Sequence, residues 1–439
     1  MKQRKKVIAV CGAQVYEEKE FSFISRLNRT CREKGYAVII FNLSTDPLKH
    51  DDEIMNEKSL VEMIPKFPID ALIILGETIK APRMRELIKS SAEDMNIPIF
   101  AMDRHIDGCI NIESNFGDSF GNMVRHIIDI HGCRKVNMIA GIKGNDFSDE
   151  RIEAYKKVLS EHGIPFEEER LAYGDFWDRP AREATERFLA SGDIPEAIVC
   201  ANDTMAIAAC AVLKEAGLRV PEDVIVSGFD GIMSGKLNFP PISTVAPDYE
   251  SEVNTILELL DRMDAGNVRD TEITRCIDYT IKPNRSCGCG ATDDNSTLEL
   301  INRHSFALKD QKWQVSAMNS MMLSASEKQH LQELTPLLEY SVEMWNKNFY
   351  FIAVSSELMS QHDDAGNGFV PLMRMEHGVS LKEAGQFDGS VAIPDFDRLL
   401  FEDESYNLFM LRLLFTDSEI YGYLMEGYDE IDMRSMRYP

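Results

Sequence analysis

The run Ile194-Pro195-Glu196-Ala197-Ile198-Val199-Cys200-Ala201-Asn202-Asp203-Thr204-Met205-Ala206-Ile207, answered by Pro221-Glu222-Asp223-Val224-Ile225-Val226-Ser227-Gly228-Phe229-Asp230-Gly231, decides the fold. Its two short apolar stretches, bounded by turn-forming residues, read as buried strands, and the segment between them reads as a helix. A polar residue stands at the carboxyl end of each strand, where open α/β sheets bind their ligands. The pattern predicts a small-molecule cleft.

Outward from this unit, apolar runs at 7–11, 37–41, 71–75 and 97–102 read as parallel strands with helical-period segments between them, a doubly wound half-domain. A second set starts with Lys135-Val136-Asn137-Met138-Ile139-Ala140-Gly141 and repeats the alternation through 197–200 and 224–227. Two similar lobes facing one another are expected. The stretch 242–246 and one strand over 273–282 are expected to return the chain across the lobe boundary.

Taken together, these stretches resemble the effector-binding domain of the LacI/GalR family, the type 1 periplasmic-binding-protein-like fold, over residues 5 to 285. The resemblance implies an α/β, two-lobe domain over 1–285 with doubly wound parallel sheets. It also implies a small effector, sugar foremost and nucleobase second, and a homodimer. The chain also resembles sensors of this type that lack a helix-turn-helix and sit at the N-terminus of multidomain bacterial proteins.

The site residues carry a reading of their own beside the family's. Arg151 is expected near the start of a helix opening after Asp149, where a guanidinium can fork onto two hydroxyls or a carboxylate. The alternative is a surface arginine paired with Glu150 or Glu153. One of Asn202 and Asp203 must cap the following helix. The cap is assigned to Asp203, leaving Asn202, with its donor and its acceptor, for a ligand. Asp230 is either half of an Asp-Gly turn or an acceptor for ligand hydroxyls or amines. In Gly174-Asp175-Phe176-Trp177, an aromatic face suits the C–H face of a sugar or a base, and Phe176 is preferred to Trp177. Gln14 and Tyr16 after the first strand, and Asp103 and Arg104 after the fourth, complete the candidate contacts. The resemblance supports the ligand role for each.

Bulk properties narrow the classes. Of 439 residues, 47 Lys and Arg stand against 73 Asp and Glu, a net charge of −26 that repels phosphate backbones, so direct nucleic-acid binding is not expected. Only about six residues precede the first strand, too few for a three-helix DNA reader. The basic start Met1-Lys2-Gln3-Arg4-Lys5-Lys6 is followed by too short an apolar run for a signal peptide, and no stretch is long enough to span a membrane. Nine scattered cysteines fit a reducing compartment, so a cytoplasmic location is expected.

After Pro283 the character changes, and 286–297, opening Ser286-Cys287-Gly288-Cys289-Gly290, reads as a linker. Over 298–346 a signalling helix is expected. One heptad register holds Ile301, Leu308, Val315 and Met322 at d but Leu298, Ser305, Lys312 and Asn319 at a, a half-polar coiled-coil seam or a single amphipathic helix. The strand-like runs within 347–439 suggest part of a GAF-like or PAS-like α+β domain that ends before it is complete. Cys287-Gly288-Cys289 invites a metal, but a structural zinc site needs four ligands. No second close pair lies nearby in sequence, and Cys276 and His304 would have to fold back, so no metal is expected. Neither a catalytic constellation nor a cofactor motif is present, and no enzyme is expected. The function implied is a cytoplasmic sensor that passes lobe closure through a helix to an output. The alternatives are the regulatory half of a diguanylate cyclase or kinase, and a LacI-type regulator acting without its own DNA-binding domain.

Overall fold

The computed structural model describes residues 4–43, 57–79, 81–264, 273–290, 336, 349–355, 369–377, 379–381, 393, 396–402, 406–415 and 420–428. Apart from residue 336, the proposed signalling helix over 298–346 lies outside them. The chain divides into two units, one of Met1–Glu113, Glu252–Arg275 and Ala307–Pro439, the other of Ser114–Ser251 and Cys276–Phe306.

In the first unit strand and helix alternate as far as β4, which β5 follows directly: β1 (Val7–Ala13), α1 (Glu18–Glu33), β2 (Ala37–Leu43), α2 (Lys58–Val61), β3 (Ala71–Leu75), α3 (Pro82–Glu93), β4 (Ile99–Met102) and β5 (Ile110–Glu113). Every residue of β1 and β2 is buried, as expected where helices cover both faces of a parallel sheet. Pro98 has no N–H for a ladder, and β4 begins only after it.

The second unit runs α4 (Phe116–His131), β6 (Val136–Ala140), α5 (Asp146–Glu161), β7 (Leu171–Tyr173), α6 (Asp178–Ala190), β8 (Ala197–Cys200), α7 (Asp203–Glu215), β9 (Ile225–Ser227), α8 (Met233–Leu237) and β10 (Thr244–Ala246). Its parallel sheet has the order β7-β6-β8-β9. Side chains alternate across it. Met138, Ala140, Ala197 and Val199 pack with α4 and α5, whereas Ile139, Ile198 and Cys200 pack with α6 and α7. Of these, Met138, Val199, Ile139 and Ile198, fully buried, contribute about 1.5–3 kcal/mol each.

Helix α9 (Tyr249–Asp264) then leads to β11 (Thr274–Cys276) and β12 (Thr280–Lys282). The single strand expected over 273–282 is therefore two, broken around Asp278. The first joins the sheet of the first unit beside β5, and the second pairs antiparallel with β10.

The C-terminal part contributes β13 (Phe349–Ser355), β14 (Phe369–Glu376), β15 (Val379–Ser380), α10 (Phe396–Glu402), β16 (Leu408–Phe415) and β17 (Ile420–Tyr428). The hairpin expected from 408–415 and 420–425 is present as the antiparallel pair β16 and β17. A domain separate from the first lobe is not what these strands build. β16 pairs in parallel with β2, Leu408 to Leu411 lying opposite Val38 to Phe41, and the first unit's sheet continues as β11-β5-β4-β3-β1-β2-β16-β17-β13-β14-β15. The physical reason is the open edge of β2, whose unpaired N–H and C=O groups are a template for another strand. Val38 N–H donates to the Asn407 carbonyl at 2.8 Å, and Asn407 Nδ2 donates to Asn28 Oδ1 at 3.1 Å. Phe67 joins the two sets of residues edge-on, with ring centroids 5.6 Å from Phe41 and 5.4 Å from Phe396.

Among the described residues no helix is long and apolar enough to cross a membrane.

Candidate functional site

In the second unit, the segments after β6, β7, β8 and β9 carry five of the nine predicted residues, Arg151, Phe176, Trp177, Asn202 and Asp230, to the carboxyl end of one sheet. Asn145 caps α5, its Oδ1 accepting from the N–H groups of Phe147 (3.1 Å) and Ser148 (3.2 Å). The helix therefore opens at Asp146 rather than after Asp149, and Arg151 lies in its second turn. Arg151 is 6% exposed. Its Nη1 donates to the Phe147 carbonyl at 3.2 Å, and its Cζ lies 4.2 Å from the Phe229 ring centroid, 5.5 Å from that of Phe116 and 6.0 Å from that of Phe176. Its Nε is buried with no hydrogen-bond partner.

The surface-pair alternative fails because both glutamates are engaged elsewhere. Glu150 accepts from Gly117 N–H at 2.8 Å, and Glu153 accepts from Lys156 at 3.0 Å. Contacts with rings return about 0.5–2 kcal/mol each, less than the several kcal/mol that burying an uncompensated charge costs. Ser148, one turn before Arg151 on the same helix face, is fully buried, and its Oγ also lacks a partner.

Phe176 is held in place by a strained turn. Asp175 (φ 52°) and Phe176 (φ 64°) are both left-handed, at a cost of about 1–3 kcal/mol each. Asn202 Nδ2 donates to the Phe176 carbonyl at 3.1 Å. The ring lies over Gly141, where a Cβ would come within 2.0 Å of Phe176 Cζ, so the glycine is required for the close approach. Trp177 is 70% exposed and does not share this packing.

Asn202, and not Asp203, is the cap of α7, its Oδ1 accepting from Met205 N–H at 2.9 Å. The assignment of the cap to Asp203 is thus corrected. Asp203 is the first helical residue, only 1% exposed, and it staples three segments. Its Oδ1 accepts from Thr244 Oγ1 (2.6 Å) and its Oδ2 from Ile232 N–H (2.9 Å). Burial pushes its carboxyl well above the usual range, and the nearby Asp230 charge adds to the rise. Asp230 has φ 96°, with its N–H donating to the Val245 carbonyl at 2.8 Å. Strain of this kind, held by a surrounding network, is characteristic of ligand clamps. Asn202 retains one amide hydrogen and a lone pair for a guest.

The first-unit candidates occupy the equivalent strand ends of their own sheet. Gln14 follows β1 with φ 53°, its carbonyl accepting from Glu17 N–H at 2.8 Å, and Tyr16 is 37% exposed. Asp103 follows β4 with φ 59°, and its carboxylate lies 3.2 Å from Lys19 Nζ, which also pairs with Glu77. Arg104 packs its Cβ against Gly76, where an added Cβ would lie 3.0 Å from it.

Sequence reasoning missed Phe116, Phe229 and Ser148. Phe229 adjoins Asp230 and was within reach of the motif, but Phe116 lies 35 residues before Arg151 with no local signal. The assembled chemistry is a guanidinium with an open donor, a carboxylate, an amide and an aromatic face, which suits reversible binding of a polar ring compound.

Comparison with known proteins agrees with this fold. Residues 124–287 match the "Periplasmic binding protein-like domain". Curated relatives include the HTH-type transcriptional repressor PurR of Photobacterium profundum, 26% identical over 232 residues that make up 52% of this chain and 66% of the relative. PurR of Mannheimia succiniciproducens is 29% identical over 227 residues, 51% of this chain and 64% of the relative. The match thus spans about two thirds of the length of each. Among solved structures, a transcriptional regulator CelR-cellobiose complex superposes with a TM-score of 0.52 at 18% identity, covering 65% of this chain and 86% of that one. The Escherichia coli transcriptional repressor ascG gives 0.52 at 23%, covering 64% and 99%. A lac repressor dimer bound to operator and the anti-inducer ONPF gives 0.52 at 19%, covering 65% and 94%. The chain carries a periplasmic-binding-protein-like domain with the two-lobe α/β fold of LacI-type regulators.

Proposed function

We propose that this chain is a non-enzymatic, cytoplasmic sensor of a small polar metabolite, a sugar first of all, acting in a bacterial signalling or transcriptional regulator. One observation carries the reading: Arg151 is buried among the rings of Phe116, Phe176 and Phe229 with its Nε unpartnered, while Asn202 bonds to the Phe176 carbonyl and Asp230 follows Phe229 directly in the chain. A folded protein keeps an uncompensated buried cation where a ligand completes it. In this reading Arg151 Nε donates to ligand oxygen, Asp230 accepts from hydroxyls, Asn202 does both, and Phe176 covers the C–H face of the ring. Gln14, Tyr16, Asp103 and Arg104 of the first unit are proposed as further contacts, and Trp177 as a residue at the rim.

Ligand binding biases the output only by its differential affinity for the two states of the protein, which we take to be open and closed. A homodimer is proposed by analogy with the lac repressor dimer. The net charge of −26 supports action without direct contact to nucleic acid. The domain scheme of 1–285, a 286–297 linker, a 298–346 helix and a further α+β segment is retained for this sensor, with the strands of that last segment joined to the first unit.

The test is a thermal-shift screen of monosaccharides, disaccharides, nucleosides and amino acids against the wild type and Asp230→Ala. At a hundredfold excess over Kd a true ligand adds about 2.7 kcal/mol. A sugar that stabilises the wild type and not Asp230→Ala supports the reading. A nucleoside in that place would move the ligand class, and a hit with undiminished effect on the variant would overturn the site.

A further inference from the structure

α4 ends where β6 begins, at the opposite end of the second unit's sheet from Arg151 and Asp230. There the last two turns of α4 present His126 and His131, and the chain returns 156 residues after His131 as Cys287-Gly288-Cys289. One ligand atom from each of these four residues lies within 4.8 Å of all the others. His126 Nε2 is 3.3 Å from His131 Nε2, Cys289 Sγ is 3.5 Å and 3.3 Å from those same nitrogens, and Cys287 Sγ is 3.7 Å from His126 Nε2.

The edges of a tetrahedron around Zn2+ follow from its bond lengths. Zn–N near 2.05 Å and Zn–S near 2.3 Å give N···N of about 3.35 Å and N···S of about 3.6 Å. The four separations fall within about 0.3 Å of those values. We propose that His126, His131, Cys287 and Cys289 form a tetrahedral site for a thiophilic divalent cation, Zn2+ before others. The sequence objection was the lack of a second close pair. It dissolves in three dimensions, because the pair is His126 and His131, whose spacing of four intervening residues is a zinc-type spacing. Cys-x-Cys is one residue shorter than the usual cysteine pair, and Gly288 at φ 90° supplies the left-handed turn that brings both sulfurs to one side.

The knuckle is built and anchored. Ser286 Oγ donates to the Val226 carbonyl of β9 (2.6 Å) and accepts from Ser243 N–H (2.7 Å). Ser243 Oγ accepts from Asn284 N–H (2.9 Å) and Cys287 N–H (3.1 Å), and the Asn284 carbonyl accepts from Cys289 N–H (3.2 Å). A cation here ties the segment 284–290 to α4, with two thiol protons released on binding.

The test titrates Co2+ into the full chain, reduced, chelator-treated and kept anaerobic. The expected result is saturation at one equivalent, with a near-ultraviolet thiolate-to-metal charge-transfer band and the intense visible bands of a tetrahedral ion, all displaced by Zn2+. Cys289→Ser and His131→Gln, checked for folding by circular dichroism, should each weaken binding at least tenfold. Cys276→Ser, at the other exposed cysteine, should leave it unchanged. Absence of these bands at one equivalent would overturn the site. So would their survival in both Cys289→Ser and His131→Gln, or their loss in Cys276→Ser.

Discussion

Replacing Arg151 by methionine separates binding from packing. The substitution keeps an unbranched side chain among Phe116, Phe176 and Phe229 and removes a charge whose Nη1 donates to the Phe147 carbonyl. The loss comprises three ring contacts of about 0.5–2 kcal/mol each and one hydrogen bond of about 1.5–3 kcal/mol. The gain is relief from burying the guanidinium, which in comparable cases offsets or exceeds such losses by about 1–4 kcal/mol. The ligand-free variant is therefore expected to melt within a few degrees of the wild type, or above it. Binding behaves differently. The charged hydrogen bond from Nε to the ligand, at the upper end of about 3 kcal/mol, raises Kd about 150-fold when lost. A ligand concentration that adds about 2.7 kcal/mol to the wild type then adds only about 0.3 kcal/mol. Differential scanning fluorimetry with the best compound of the screen reads both quantities. A large fall in the ligand-free Tm with an unchanged ligand shift would refute the reasoning and make Arg151 a packing residue.

Three further outcomes follow from the same structure. Gly141→Ala places a methyl group against Phe176 and should weaken ligand binding about tenfold; combined with Phe176→Ala it should add little more, which a double-mutant cycle checks. Asp203 has its folded pKa raised above the unfolded one, so the native state holds the proton longer and stability falls as pH rises from the ordinary carboxylate range toward the folded pKa. Asp203→Asn can accept from Ile232 N–H and donate to the Thr244 hydroxyl, and it should flatten that slope in denaturant melts; an unchanged slope would exclude Asp203 as its source. Asn407→Ala leaves the buried Asn28 amide without its partner and should cost about 1–3 kcal/mol by urea unfolding, whereas no effect would argue against β16 on the edge of β2.

The parallel strands were legible because a doubly covered sheet demands unbroken apolar runs, and residues such as 7–11 and 197–200 show them without ambiguity. Asp230 and Asn202 were legible as polar groups at strand ends. The identity of the α7 cap was not, since Asn202 and Asp203 are both good caps and only the Thr244 and Ile232 contacts decide between them. Packing across long sequence distances was equally hidden. Nothing near Arg151 announces Phe116, nothing near Cys287 announces His126, and the pairing of β16 with β2 depends on an open edge some 370 residues upstream. In each case the deciding partner comes from a different part of the chain, where local periodicity carries no information.

The central claim is that a ligand completes the Arg151 guanidinium. Its most direct test is the Arg151 Nε–H resonance in a 1H–15N spectrum, assigned by its loss in Arg151→Met and followed while the best-stabilising compound of the screen is titrated to saturation. The account predicts a large downfield shift of that proton and slower exchange with water as its open valence fills. Saturation of the protein with the Nε–H signal unmoved would contradict it.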